Sequence, residues 1–352
     1  MDKRDVVIAK ERTVYIDYLR IAATFAVVMI HAAAQNWYTQ DVSTSAWIVF
    51  NFYDSISRWA VPVFVMISGM LMLGTDVSFK KLYTVKIPRR LTAFIVWSLV
   101  YALVQGGTLR SVLLAVIKGK YHLWFLYLII GLYICSPVIK KISENPIIAE
   151  YFLGISLAFS FVVPFVLQLL TDFGGKTVEA WVNAFTNAYS DMNITVLSGY
   201  VAYFIAGYRL EQVTISRGKR TMIYFLGTLG VLATFFLSQV ISVREGAPVG
   251  NYYEYLGLPI FAPSVAAFVW FKYNLSSAKA NSILVKQLTK CSFGIYLIHI
   301  LVLETLDKKL LFNTMSLPAM ISVPVLTVVV FVISFAIAAL LKRIPVFKDY
   351  AF

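Results

Sequence analysis

Cysteine, histidine and acidic residues are all scarce in this chain of 352 residues. The two cysteines, Cys135 and Cys291, stand far apart, both toward the ends of apolar runs. Two isolated thiols build no disulfide framework, and no Cys/His spacing of a ligating kind occurs, so neither a stapled fold nor a metal site is expected. Charge is thin as well: Asp, Glu, Lys and Arg together make up 14% of the residues, against about a quarter in soluble domains. There is no low-complexity tract and no convincing internal repeat. A soluble globular protein, a disordered chain and a secreted disulfide scaffold are thereby excluded.

What fills the chain is apolar surface. Hydrophobic residues account for 59% and the mean hydropathy is +0.76. A bilayer span takes about 20 apolar residues. Ten such segments can be read, at about 16–34, 47–73, 87–104, 122–139, 149–170, 194–209, 221–241, 253–271, 289–306 and 318–341. The second is too long for a straight span, and Pro62 is expected to interrupt it. Residues 111–121 read as a short interfacial helix leading into the fourth segment. The expectation is an all-α integral membrane protein with about ten transmembrane helices in a single polytopic domain over 1–352.

The net charge of +13 follows the topology. With the N-terminus in the cytoplasm, 22 of the 31 basic residues fall in cytoplasmic pieces and 7 in outer loops, Arg20 and Arg58 lying within spans. Such a bias over short loops orients a membrane protein. Both termini, residues 1–14 and 342–352, are therefore expected on the cytoplasmic side. The basicity reads as a topological signal, so no nucleic-acid partner is expected. A basic start followed by an apolar run also imitates a signal peptide, but Asp17, Arg20 and His31 interrupt that run.

Ionisable residues inside a membrane are costly and usually face a cavity or a partner. In the first segment Arg20 and His31 lie eleven positions apart, three helical turns and roughly 16 Å along the axis. Asp17, Arg20, Thr24 and His31 are expected on one face. In the second, Asp54 and Arg58 have the i,i+4 spacing that permits an ion pair. Ser68-Gly69 reads either as small-residue helix packing or as a hydroxyl nucleophile, but its cytoplasmic position separates it from His31. Arg89 and Arg90 open the third segment at its cytoplasmic mouth, either as orientation signals or as a phosphate clamp. His122 is expected at the outer interface beside Trp124. His299 lies near the middle of the ninth segment, three residues after Tyr296. Glu304 is further out and about 140° round the helix from His299. The stretch 171–193 reads as an outer loop whose Trp181, Asn183, Asn187, Tyr189 and Asp191 suit sugar recognition.

Arg20 and His31, the VPVFVMISG segment, the Arg pair at 89–90, HLWFLYLIIGLYICSP at 122–137, YFIAGYRL at 203–210 and FGIYLIH at 293–299 occur in this order along the chain. Together they resemble the acyltransferase-3 family of membrane-integral O-acyltransferases, over about residues 15–343. The resemblance implies ten transmembrane helices around a channel-like site. It implies transfer of an acyl group, most commonly acetyl from cytoplasmic acetyl-CoA, to a hydroxyl of an envelope carbohydrate or lipid-linked glycan in the bacterial cytoplasmic membrane. It makes His31 the general base or acyl relay, Arg20 its motif partner, and Arg89 and Arg90 the acyl-CoA contacts. Asp17, Asp54, Arg58, His122, Trp124, Tyr296, His299 and Glu304 are candidates for the substrate pocket. No hydrolase-like domain accompanies the matched stretch, so acylation of the acceptor is expected within the membrane domain. The competing reading is a transporter or lipid-carrier flippase without acyl chemistry, which intramembrane Arg and His would also suit.

Overall fold

The computed structural model describes residues 14–76, 78–276 and 282–344. Most of the N-terminal cytoplasmic segment and the tail from 345, with Lys3, Arg4, Lys10, Arg12 and Lys348, lie outside the described residues, as does Lys279.

In chain order the helices are α1 (Val14–Ala34), α2 (Ser45–Ser55), α3 (Ala60–Leu73), α4 (Phe79–Lys81), α5 (Ile87–Gln105), α6 (Leu109–Lys118), α7 (Trp124–Glu144), α8 (Pro146–Ser156), α9 (Val163–Phe173), α10 (Gly175–Asp191), α11 (Thr195–Gln212), α12 (Arg217–Glu245), α13 (Leu258–Asn274), α14 (Ile283–Leu310) and α15 (Ala319–Leu341). Among the described residues there is no strand. Helices suit the interior of a bilayer because each satisfies its own backbone hydrogen bonds.

Among the described residues, nine helical stretches are long and apolar enough to cross a membrane. The sixth expected segment, 194–209, is not among these nine but is present as α11, which is kinked at Gly199. Its tyrosines and its terminal Arg209, Glu211 and Gln212 dilute its hydropathy, and its middle is packed within the bundle: Tyr203, Phe204 and Ile205 are fully enclosed. The second segment divides into α2 and α3 around residues 56–59. Pro62 then falls in the first turn of α3, where its missing N–H costs nothing.

α1 is the centre of the bundle, in contact with α2, α3, α13, α14 and α15. Its polar residues are therefore interior by construction. A second determinant is the crossing of α3 with α11. A Cβ on Gly69 would stand 1.9 Å from the Phe204 carbonyl oxygen, and one on Gly207 would stand 2.0 Å from that of Met66. The two backbones touch through reciprocal glycines, the small-residue packing that lets membrane helices approach. Gly207→Val is expected to lower stability by about 3 kcal/mol or more, since backbone cannot move aside as a side chain does. Gly131→Ala and Gly154→Ala, where added Cβ atoms meet open space, should be tolerated. Thermal unfolding in detergent checks this, and equal melting of all three variants would contradict it.

Two expectations about connections need correction. The stretch 171–193 is no loop: most of it forms α10, with Trp181, Asn183, Asn187 and Asp191 exposed and the Tyr189 hydroxyl donating to the Phe159 carbonyl at 2.5 Å. An amphipathic helix of low mean hydropathy is hard to tell from a polar loop by composition alone. The interfacial helix expected at 111–121 runs over Leu109–Lys118 and is stopped by Gly119, whose φ of +71° favours glycine.

Candidate active site

α1 places Arg20, Val27 and His31 along one stripe, at i, i+7 and i+11, and all three line a cavity of about 400 Å³ inside the bundle. Thr24 turns its hydroxyl back to the Arg20 carbonyl at 2.7 Å. It does not line the cavity. Asp17 does not either: it lines a neighbouring space of about 690 Å³ whose wall it shares with Arg20, Lys140 and Glu211. The expected four-residue face thus divides, because 100° steps carry Asp17 and Thr24 to the flanks of the stripe.

One end of the cavity is strongly cationic. Arg20 meets Arg89 and Arg90 from the first turn of α5, Lys290 from α14 and Lys342 just beyond α15. No Asp or Glu lines this cavity. Arg90 lies over the Phe293 ring, its Cζ 4.7 Å from the centroid, and the Lys342 ammonium donates to the Lys290 carbonyl. The midsection is apolar, with Val61, Phe64 and Ile67 of α3 facing Phe125 and Ile129 of α7. Ser68 also lines the cavity, so the separation from His31 expected for it does not keep the two in different spaces.

At the other end the chain's three histidines come together. The His31 ring centroid is 5.1 Å from that of His299 and 6.3 Å from that of His122, and His122 is 5.2 Å from His299. His31 is half-buried and lines the cavity. His299 is fully buried behind it, its Nδ1 2.6 Å from the Tyr296 carbonyl oxygen and its Nε2 without a hydrogen-bond partner. A carbonyl only accepts, so Nδ1 carries the proton and Nε2 is left as an acceptor.

His122, a candidate for the substrate pocket, lines the cavity: the 3-10 turn Tyr121–Leu123 folds it inward, 2% exposed. Its backbone carbonyl accepts from the Tyr296 hydroxyl at 2.6 Å, and the Tyr101 hydroxyl donates to the Leu297 carbonyl at 2.9 Å, tying α5 and the turn before α7 to α14 here. Trp124 lines the cavity and stacks on Tyr255 at 5.8 Å, 25° between planes.

The remaining candidates are placed more variously. Tyr296 lines the cavity. Asp54 and Arg58 form a two-point ion pair at 2.6 and 2.7 Å, outside the cavity lining. The Arg58 Cζ is 4.4 Å from the Tyr253 centroid and 5.8 Å from that of Tyr255, so the pair supports the tyrosine that walls the site. Glu304 is not in the site. It pairs with Lys120 at 2.5 Å and Lys308 at 3.4 Å, as its angular distance from His299 requires.

Sequence reasoning missed Tyr255, Lys290 and Lys342. Lys290, Phe293 and Tyr296 stand at successive i+3 steps, a spacing that was open to reading. Both lysines also serve the charge bias, which absorbed them. Tyr255 sits on a turn between Tyr253 and Leu258 and has no local signature. No metal-holding group of His, Cys, Asp and Glu occurs among the described residues.

Fold and site define a polytopic membrane protein whose buried cavity joins a cationic mouth to a histidine cluster. A sequence-family profile described as an acyltransferase domain matches residues 13–343. The chain belongs to the acyltransferase-3 family, and is a membrane acyltransferase. Searches among curated proteins and among solved structures gave no significant match.

Proposed function

We propose that the protein moves an acetyl group from acetyl-CoA to a hydroxyl of an envelope carbohydrate or lipid-linked glycan, with His31 as general base or acyl relay. The observation that carries this reading is the continuity of one cavity from five cationic side chains to His31 and His122. Coenzyme A bears phosphates at one end and the thioester at the other. The cationic end suits the phosphates, because Arg forks match phosphate oxygens. The apolar midsection suits the pantetheine arm. Arg20 and His31 are separated by roughly 16 Å along α1, a span on the scale of that arm.

In the transfer His31 takes the proton of the acceptor hydroxyl as its oxygen attacks the thioester carbonyl. The new C–O bond forms, the C–S bond breaks, and the leaving thiolate takes the proton back from His31, giving ester and free coenzyme A. In the relay version the imidazole nitrogen attacks the thioester carbonyl and the C–S bond breaks to release the coenzyme A thiolate; the acceptor oxygen then takes the acetyl group as the N–C bond breaks, and its proton goes to the thiolate. His299, with Nδ1 committed to a carbonyl, presents Nε2 as the acceptor suited to orient His31. The positive-inside bias puts the cationic end, and both termini, on the cytoplasmic side of a bacterial membrane. The histidines then lie toward the outer half, where an envelope acceptor arrives.

Direct binding of acetyl-CoA to purified protein tests the reading. Saturable binding displaced by free coenzyme A is expected. Its absence would overturn the assignment of the cationic end.

A further inference from the structure

A second cavity, of about 480 Å³, lies against the histidine end of the first. Its wall comes from α5, α6 and the turn that follows α6. Three consecutive residues divide between the two spaces: Lys120 and Tyr121 line the second, and His122 lines the first. Trp124 lines both. The Tyr121 ring is 5.5 Å from His31. The turn at Gly119 creates this arrangement, and its backbone packs so closely on Phe94 that a Cβ would stand 2.8 Å from that ring.

The geometry points to this second cavity as the acceptor subsite, taking a sugar that carries a phosphate. The inference rests on the acyltransferase reading for the word acceptor, and on the cavity's own chemistry for the ligand class. Tyr101, Tyr121, Trp124 and Tyr127 give the cavity an aromatic lining of the kind that suits sugar rings, and Ser98 and Gln105 add hydrogen-bonding groups. The charged residues that line it are Lys118 and Lys120, and no carboxylate does. Lys120 is held by Glu304 from outside the cavity. Lys118 is exposed and has no ion-pair partner among the described residues. An ammonium at the edge of an aromatic lining, with no carboxylate lining the same space, suits an anion attached to a ring. Five cations already serve the opposite end of the bundle, so this one is not explained by the donor.

The flank of the cavity says how such a sugar arrives. α6 buries none of its side chains, Leu113 and Ile117 are exposed, and Leu114 is exposed while lining the cavity. A ligand tethered to the bilayer by its phosphate would approach past this helix, with the phosphate at Lys118 and the sugar turned toward Tyr121 and His31.

Equilibrium binding to the purified full-length protein decides the matter, with coenzyme A at saturation so that the cationic end is occupied. Glucose, glucose 1-phosphate and farnesyl-phosphate-linked glucose are the probes. Glucose 1-phosphate is expected to bind about tenfold more tightly than glucose, the worth of one charge-assisted contact. Lys118→Glu should abolish that preference while leaving coenzyme A binding unchanged. Lys118→Met gives the same comparison should the reversed charge impair folding. Tighter binding of the farnesyl-linked probe supports a lipid-tethered acceptor, and equal binding of the two phosphates supports a free or polymeric one. Equal binding of glucose and glucose 1-phosphate, or a preference that survives both Lys118 variants, overturns the proposal. Failure of coenzyme A itself to bind would instead count against the cationic end as the donor site, and the sugar comparison would still read out Lys118.

Discussion

Replacing Arg89 and Arg90 together by alanine is expected to raise the apparent KM for acetyl-CoA about 100-fold, with kcat changed by no more than a few-fold. A charge-assisted hydrogen bond is worth about 1.5–3 kcal/mol, so two lost phosphate contacts could cost considerably more than a factor of 100. The smaller figure reflects the company these arginines keep. Arg20, Lys290 and Lys342 line the same end of the cavity, and their charges continue to attract the phosphates. Arg90→Lys separates charge from shape: it keeps the cation but loses the fork and the packing of the guanidinium on Phe293. It should raise KM by an intermediate amount. Steady-state kinetics with acetyl-CoA varied is the measurement, and a donor KM unchanged in the double variant would remove the donor from this end of the cavity.

The second large effect belongs to His31. His31→Ala should lower kcat about 1,000-fold, the middle of the range for removing a positioned acid–base group, while acetyl-CoA binds as before. Of the three histidines His31 is the most accessible from the cavity: it is half-buried, whereas His299 is fully enclosed, with Nδ1 held by the Tyr296 carbonyl, and His122 is 2% exposed. Single-turnover measurement with bound acetyl-CoA isolates the step. A variant that keeps more than about a tenth of the wild-type rate would show that His31 neither moves the proton nor carries the acyl group, since even weak general-base catalysis contributes more than this.

Much of this architecture was legible because a bilayer imposes strong rules. Hydropathy located the spans, and Pro62 signalled a break in the second, which falls just ahead of it at residues 56–59. Helical periodicity put Arg20 and His31 on one stripe, since eleven residues make three turns. What escaped reading depends on tertiary packing. His122 is carried inward by a single 3-10 turn after Gly119, and nothing local distinguishes that turn from one that leaves the ring in the interface. Asp17 lies one turn before Arg20 yet lines another cavity, because α1 is surrounded and adjacent sectors of its surface face different neighbours. The convergence of all three histidines joins α1, the turn before α7, and α14, a contact with no sequence-local cause. Lys290 and Lys342 look like orientation signals because they are near helix ends, where both roles place a cation. α10 is polar enough to resemble a loop, whereas α11 is legible as the segment 194–209 although its tyrosines and charged end lower its hydropathy.

The most direct test is transfer across a bilayer. Protein is reconstituted in vesicles of defined orientation, with acetyl-CoA labelled in its acetyl group supplied only to the face carrying Arg89 and Arg90, and an extract of envelope glycan lipids supplied as acceptor. The account predicts label in the glycan-lipid fraction and free coenzyme A on the donor face with the wild type, and neither with His31→Ala. Label transfer that persists in the His31 variant, or that proceeds when acetyl-CoA is confined to the opposite face, would contradict it.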